Sequence, residues 1–321
     1  MSDPAQMPEA VLSVSDAPKG NWVDRYAPVR LRPYLRLSRA DRPIGTWLLL
    51  IPCFWGIALA AMESGFRPWD LWLATSCAAG AFLMRGAGCT WNDISDRDID
   101  AAVARTRSRP LPAGQVRVRQ ALVWMVLQAG IAAGILFSYN NTAILLGIAS
   151  LGLVAIYPFA KRFTWWPQVF LGLAFNWGAL LAFAAHSGKI DWAAVLLYAA
   201  GIAWTLYYDT IYAHQDREDD ALIGVKSTAR LFGANTRPWL WAFIAAAVVL
   251  MGLSVVMAQS VKPNPLALVI ALGGVWAFGW HMALQMRELD IDDPVSCHKV
   301  FLANRNAGLV PALFLAAAAV V

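Results

Sequence analysis

Two acidic clusters hold most of the side chains in this sequence that could do chemistry. Asn92, Asp93, Asp96, Asp98 and Asp100 form one, and Asp209, Asp216, Glu218, Asp219 and Asp220 form the other. If each run is helical, Asn92, Asp96 and Asp100 fall at i, i+4 and i+8, while Asp209, Asp216 and Asp220 fall at i, i+7 and i+11. Each trio then lines one helix face. Like charges stacked in this way repel, and each raises the pKa of the next. Six oxygen-bearing groups on two such stripes make most sense around divalent cations. Mg²⁺ takes a few carboxylates and completes its shell with water and phosphate oxygens, so a phosphorylated ligand is implied.

Cations follow both clusters. Arg105, Arg107 and Arg109 come after the first, Lys226 and Arg230 after the second, and Lys161 and Arg162 lie between. Taken singly, each reads as a charge marking one side of a membrane. Jointly they supply point charges and bidentate forks for phosphate. His214 sits inside the second cluster, but neither it nor His186, His281 or His298 has a partner at ligand spacing. Cys53, Cys77, Cys89 and Cys297 form no metal pattern and are expected to be reduced packing residues.

The elements that must carry these groups are membrane helices. Of the 321 residues 59% are hydrophobic and only 15% charged, and the mean hydropathy is +0.50. These values set aside a soluble globule and a disordered chain. A span needs about 20 apolar residues, and nine runs qualify: 44–62, 70–91, 119–138, 142–158, 167–187, 192–213, 239–259, 265–286 and 304–321. With nine spans, 22 of the 26 Lys and Arg fall on one side, with Arg67, Lys189 and Lys262 opposite and Arg85 inside the second span. The net charge of +5 is thus a matter of topology, and no nucleic-acid partner is needed. Residues 1–43 form an N-terminal segment and residues 44–321 the membrane domain. Asn21–Arg42 is expected to be an interfacial helix. Gly130 and Gly134 make a GxxxG expected to pack closely on another helix. The segment before residue 43 lacks a secretory apolar core, and its acids argue against an organellar leader. That points to a bacterial inner membrane, with the N-terminus and both acidic loops cytoplasmic. A diphosphate held by metal at the membrane face, with an apolar bundle beneath it, describes a polyprenyl diphosphate lying tail-down in the lipid bilayer.

At these residues the chain resembles the UbiA superfamily of intramembrane prenyltransferases, and within it the 4-hydroxybenzoate polyprenyltransferase branch. Asn92 to Asp100 is similar to the family's NDxxDxxxD. Tyr208 to Asp220 is similar to the branch's YDTxYAxxDxxDD, followed by a Lys-Ser-Thr-Ala stretch at Lys226–Ala229. Further blocks are Asp41–Thr46, Leu83–Cys89, Arg105–Pro112 and Tyr157–Arg162. The resemblance implies an all-α fold, nine transmembrane helices around a central cavity with a cytoplasmic cap. It implies that Asn92, Asp96, Asp100, Asp209, Asp216 and Asp220 hold Mg²⁺ on the diphosphate, with the five aspartates catalytic and Asp93 behind them. Arg105, Arg109, Lys161 and Lys226 would contact diphosphate oxygens. The expected reaction joins the polyprenyl group to the ring carbon ortho to the hydroxyl of 4-hydroxybenzoate, a step of ubiquinone biosynthesis. Arg85, a charge inside the second span, should face the interior and bind the acceptor's carboxylate, with Arg39 a second candidate.

Two other readings stand beside this one. A different acceptor, such as a naphthoate, homogentisate, haem or chlorophyllide, would use the same metal and diphosphate chemistry, although the YDTxYA block argues against it. A divalent-cation transporter would instead carry its acids near the bilayer midplane.

Overall fold

The computed structural model describes residues 14, 17–103, 106–222 and 224–321, and among them every regular element is helical. In chain order these are α1 (Trp22–Tyr26), α2 (Arg32–Leu37), α3 (Ile44–Ser64), α4 (Trp69–Ser95), α5 (Arg97–Ala102), α6 (Val118–Leu136), α7 (Asn141–Ile156), α8 (Ala160–Phe163) and α9 (Pro167–Ser187). Then come α10 (Trp192–Ala213), α11 (Arg217–Leu222), α12 (Thr228–Phe232), α13 (Thr236–Val261), α14 (Pro265–Glu288) and α15 (Pro294–Ala318). Eight helical stretches among the described residues are long and apolar enough to cross a membrane. The ninth expected span, 70–91, lies in α4. That helix has ample length at 27 residues, but Arg85 and Asp70 dilute its apolar run, and it is not among the eight.

Several boundaries differ from the sequence reading for local reasons. Asn21–Arg42 is not one helix. Ala27 is extended at φ −73°, ψ 142°, the conformation favoured before a proline, and Pro28 separates α1 from α2. The last helix begins at Pro294, well before residue 304, because Asp293 caps it by accepting from the Val295 and Ser296 N–H groups.

The chain forms two compact units. The first joins the residues up to Thr46 with Ala79–Gly134. In it Leu37, Leu111, Val116 and Ala121 form a buried core against Tyr34, Ile94 and Val118. Ser38 ties α6 down, accepting from Trp124 Nε1 at 2.8 Å and donating to Gln128 Oε1 at 2.9 Å. Gly130 and Gly134 pack closely on no other helix among the described residues, since a Cβ at either would meet nothing within 4 Å. Their part of α6 is largely exposed, Ile131 51% so, an outward apolar surface of the kind that suits lipid.

The second unit holds Trp47–Ala78 and Ile135–Val321. Its centre is aromatic: Trp55 lies 5.1 Å from Trp204 and 5.8 Å from Phe278, ring to ring, and the Trp55 indole donates to the Gly308 carbonyl at 2.8 Å. Close helix approach is specific here. A Cβ at Gly56 would collide with the backbone oxygen of Ala179 in α9. At one end of this unit, Asp70 accepts from the Arg67 N–H at 2.8 Å and meets His186 Nδ1 at 2.6 Å, and His186 Nε2 meets Ser64 Oγ at 2.7 Å. That chain of contacts fastens the α3–α4 turn to the end of α9.

Candidate active site

The first acidic cluster belongs to the first unit, at the junction of α4 and α5. The helix is interrupted at Asp96, whose φ is −104° and ψ 8°. Its hydrogen-bond frame nevertheless runs on, with Asp96 N bonded to Asn92 O at 2.9 Å and Asp100 N to Asp96 O at 2.8 Å. The expected four-residue register of Asn92, Asp96 and Asp100 is thereby kept. Asn92 Nδ2 also donates to an Asp96 oxygen.

This cluster is buried. Asp93, Asp96 and Asp100 are 0%, 1% and 5% exposed, so their charge must be met by nearby cations. Arg39 grips Asp93 with both prongs of its fork, at 2.6 and 3.0 Å. Arg109 lies 2.8 Å from Asp100 and 3.5 Å from Asp93. Burial pushes the Asp100 carboxyl above the usual carboxylate range; the Asp93 and Asp96 charges add to the shift and Arg109 opposes it.

Arg39, expected as a second ligand for an acceptor carboxylate, is engaged otherwise: its fork holds the motif's own Asp93. It adopts the left-handed region at φ 55°, which is uncommon for a residue with a Cβ. This turn closes α2 and sends the side chain back, where Nη1 also donates to the Arg36 carbonyl at 3.0 Å. Nothing local in the sequence marks the pairing, because its partners lie 54 residues apart.

Arg85 lies on α4 seven residues before Asn92, close to two full turns, so the two share a face about 10 Å apart along the axis. Its guanidinium packs on Gly45 in the first turn of α3, where a Cβ would stand 2.5 Å from Arg85 Nε.

The second cluster belongs to the second unit. Asp209 lies near the end of α10, Asp216 in the 3-10 turn His214–Asp216, and Asp220 in α11; all three are half-buried. The helix expected to carry them therefore breaks after Ala213. Thr210 Oγ1 meets Thr228 Oγ1 at 2.7 Å, and Asp220 O accepts from Val225 N at 2.9 Å. These bonds fold the following segment back onto α10. The Lys226 N–H donates to the Lys161 carbonyl at 3.2 Å, so two of the expected phosphate-binding lysines meet although 65 positions apart. Arg105 lies outside the described residues. His214 is buried with Nε2 3.2 Å from Thr236 Oγ1, a packing role, and all four cysteines are buried and unbridged.

Among the described residues no three His, Cys, Asp or Glu stand together as a ready-made metal site. The donors present are nonetheless all oxygen, the kind that hard cations select, and Mg²⁺ sites are commonly completed by substrate phosphates.

The UbiA prenyltransferase family profile matches residues 49–307. The chain belongs to the UbiA prenyltransferase family. It is 50% identical over 285 residues to the mitochondrial 4-hydroxybenzoate polyprenyltransferase of Bos taurus, covering 88% of this chain and 74% of that one. The human enzyme of the same name is 49% identical over 285 residues, with the same coverage. Against the Aedes aegypti enzyme the identity is 50%, but this chain spans only 62% of its length. Among solved structures, a UbiA homologue from Archaeoglobus fulgidus bound to GPP and Mg²⁺ aligns with a TM-score of 0.64 at 19% identity, over 90% of this chain and 99% of that one. The apo UbiA homologue from Aeropyrum pernix K1 aligns with a TM-score of 0.63 at 23% identity, over 84% and 96%. These two establish the fold. The expectation of a bacterial inner membrane is overturned, since the curated relatives are mitochondrial enzymes of animals and a plant. It rested on a few acids in the N-terminal segment, a weak compositional signal; a multi-pass membrane protein is supported by the eight apolar helices.

Proposed function

We infer that this chain transfers a polyprenyl group from polyprenyl diphosphate to the carbon ortho to the hydroxyl of 4-hydroxybenzoate, releasing diphosphate, in ubiquinone biosynthesis. The observation that carries the reading is about 50% identity across 88% of the chain to enzymes of that name. The buried, arginine-neutralised carboxylates at the end of α4 support it from the side of chemistry.

In this reading Asn92, Asp96 and Asp100 from one motif and Asp209, Asp216 and Asp220 from the other would hold Mg²⁺ for the diphosphate. A metal bound by them would supply positive charge to stabilise the departing diphosphate. Arg105, Arg109, Lys161 and Lys226 add cationic contacts to the same oxygens. The C–O bond to the prenyl carbon breaks with its electron pair going to the diphosphate. The electron-rich ring carbon bonds to the allylic cation, and loss of the ring proton restores aromaticity. Apolar helices keep water from the cation. Arg39 binds no substrate: it holds Asp93, and through it the turn on which Asn92 and Asp96 are mounted. Arg85 takes the acceptor's carboxylate, because a guanidinium carried on a helix of a membrane domain is expected to face its interior and matches an anion with two oxygens.

The test supplies membranes containing the protein with one polyprenyl diphosphate and a panel of aromatic acceptors, and identifies products by mass. A 3-polyprenyl-4-hydroxybenzoate as the dominant product is expected. Prenylation of a naphthoate or homogentisate in preference to 4-hydroxybenzoate would overturn the acceptor assignment.

A further inference from the structure

Gly45 stands in the first turn of α3, a position where glycine has no conformational purpose. Its φ is not positive, unlike that of Gly65 or Gly188, and alanine is intrinsically the better helix former. What the residue supplies is space. A Cβ there would lie 2.5 Å from Arg85 Nε, 2.7 Å from Cζ and 2.7 Å from Nη2, and these three guanidinium atoms are its nearest neighbours. This is not general to the glycines of the chain: Gly80, Gly130, Gly134 and Gly152 would meet nothing within 4 Å.

The stretch of α4 that carries Arg85 is fixed. A Cβ at Gly86 would run into Gln128 Oε1 and lie 2.9 Å from Ser38 Cβ. Gln128 and Ser38 are themselves buried, at 3% each, and bonded at 2.9 Å, with Trp124 Nε1 on the Ser38 hydroxyl at 2.8 Å. Arg85 therefore projects from a stretch of α4 that is packed directly on α6 and the end of α2. A side chain at position 45 could displace the far end of Arg85 but would not push the helix away.

We propose that Gly45 is a positioning residue for acceptor specificity: its bare backbone is the platform that sets the plane and depth of the Arg85 guanidinium, and so the place where an aromatic carboxylate is held. The proposal rests on the assignment of Arg85 to the acceptor's carboxylate. A fork-to-fork pair demands that both N–H groups meet both oxygens. Displacing the guanidinium by about 1 Å, enough to bring the 2.5 Å approach out to ordinary contact, spoils the two-bond geometry, while the diphosphate end keeps its own ligands.

The experiment compares wild type, Gly45→Ala, Arg85→Ala and the double variant as the full chain in membranes, measuring KM and kcat for 4-hydroxybenzoate and for polyprenyl diphosphate, with thermal unfolding alongside. Gly45→Ala is expected to raise the acceptor KM on the order of tenfold, the share of a charge-assisted pair lost with one of its two bonds, and to leave the diphosphate KM within about twofold. The double variant is expected to be no worse than Arg85→Ala alone, because without the guanidinium the added methyl has nothing to displace. If Arg85→Ala raises the acceptor KM and Gly45→Ala does not, the platform is refuted while the Arg85 assignment survives. If Arg85→Ala leaves the acceptor KM unchanged, the acceptor assignment fails and with it the specificity role of Gly45. Effects that add in the double variant refute the contact itself. Should Gly45→Ala fail to fold, the Arg85→Ala background must restore folding, and failure there also refutes the proposal.

Discussion

Replacing Arg39 with alanine tests whether the first acidic motif is held by this arginine. The side chains of Arg39 and Asp93 are 8% and 1% exposed, and their two contacts are 2.6 and 3.0 Å. Removing one partner of a buried pair leaves an uncompensated charge, at a cost of about 3–5 kcal/mol. Arg109 at 3.5 Å from Asp93 remains as a partial substitute, so the lower end, about 3 kcal/mol, is expected. Alanine keeps a Cβ and the turn is held by backbone bonds, Ala40 N to Leu35 O at 3.0 Å among them, so the left-handed conformation at residue 39 is not relieved and offsets nothing. The net loss is then roughly 3 kcal/mol. Equilibrium unfolding in detergent would read the loss directly. Asp93→Asn should cost less, since it leaves a neutral amide able to bond Arg39. The double variant should recover part of the damage, which is the mark of a coupled pair. In turnover assays Arg39→Ala should raise the Mg²⁺ concentration needed for half-maximal activity and leave the acceptor KM nearly unchanged. Stability within about 0.5 kcal/mol of wild type, or an increase confined to the acceptor KM, would refute the argument and return Arg39 to acceptor binding.

Other outcomes follow from the same geometry. Asp96→Ala and Asp216→Ala should each lower turnover below about a hundredth of wild type without changing membrane insertion, and EDTA should silence the wild type; product formation by fully chelated protein would remove metal from the mechanism. Arg85→Ala should raise the acceptor KM about ten- to a hundredfold, the range for losing a charge-assisted bond, with Arg85→Lys recovering only part because the fork is lost. Gly56→Ala should destabilise the protein by about 1–3 kcal/mol in detergent unfolding, against the usual gain for alanine in a helix, because the new Cβ strikes the Ala179 backbone. Asp70→Ala should lower stability and spare prenyl transfer, since Asp70 serves Arg67 and His186 at the far turn.

Much of the molecule could be read from the order of its residues because the controlling physics is local. Apolar runs of about twenty residues mark eight spans whether or not their neighbours are known. The four-residue spacing of Asn92, Asp96 and Asp100 likewise survives the helix break at Asp96, since each backbone bond reaches back only four positions. The break before α2 and the early start of α15 were missed, although Pro28 and Asp293-Pro294 mark them locally. What remained hidden lies between residues far apart in sequence. Arg39 has the same composition signal whether it faces a substrate or Asp93, and only folding brings the two within 2.6 Å. Gly45 looks like any helical glycine until Arg85 is seen lying on it, and the GxxxG at Gly130 and Gly134 looks like a packing face until both are found open. Hydropathy and spacing establish which groups are available and which side of a helix they share; which charges neutralise one another, and which missing side chain makes room, is decided by contacts that form only when the helices pack.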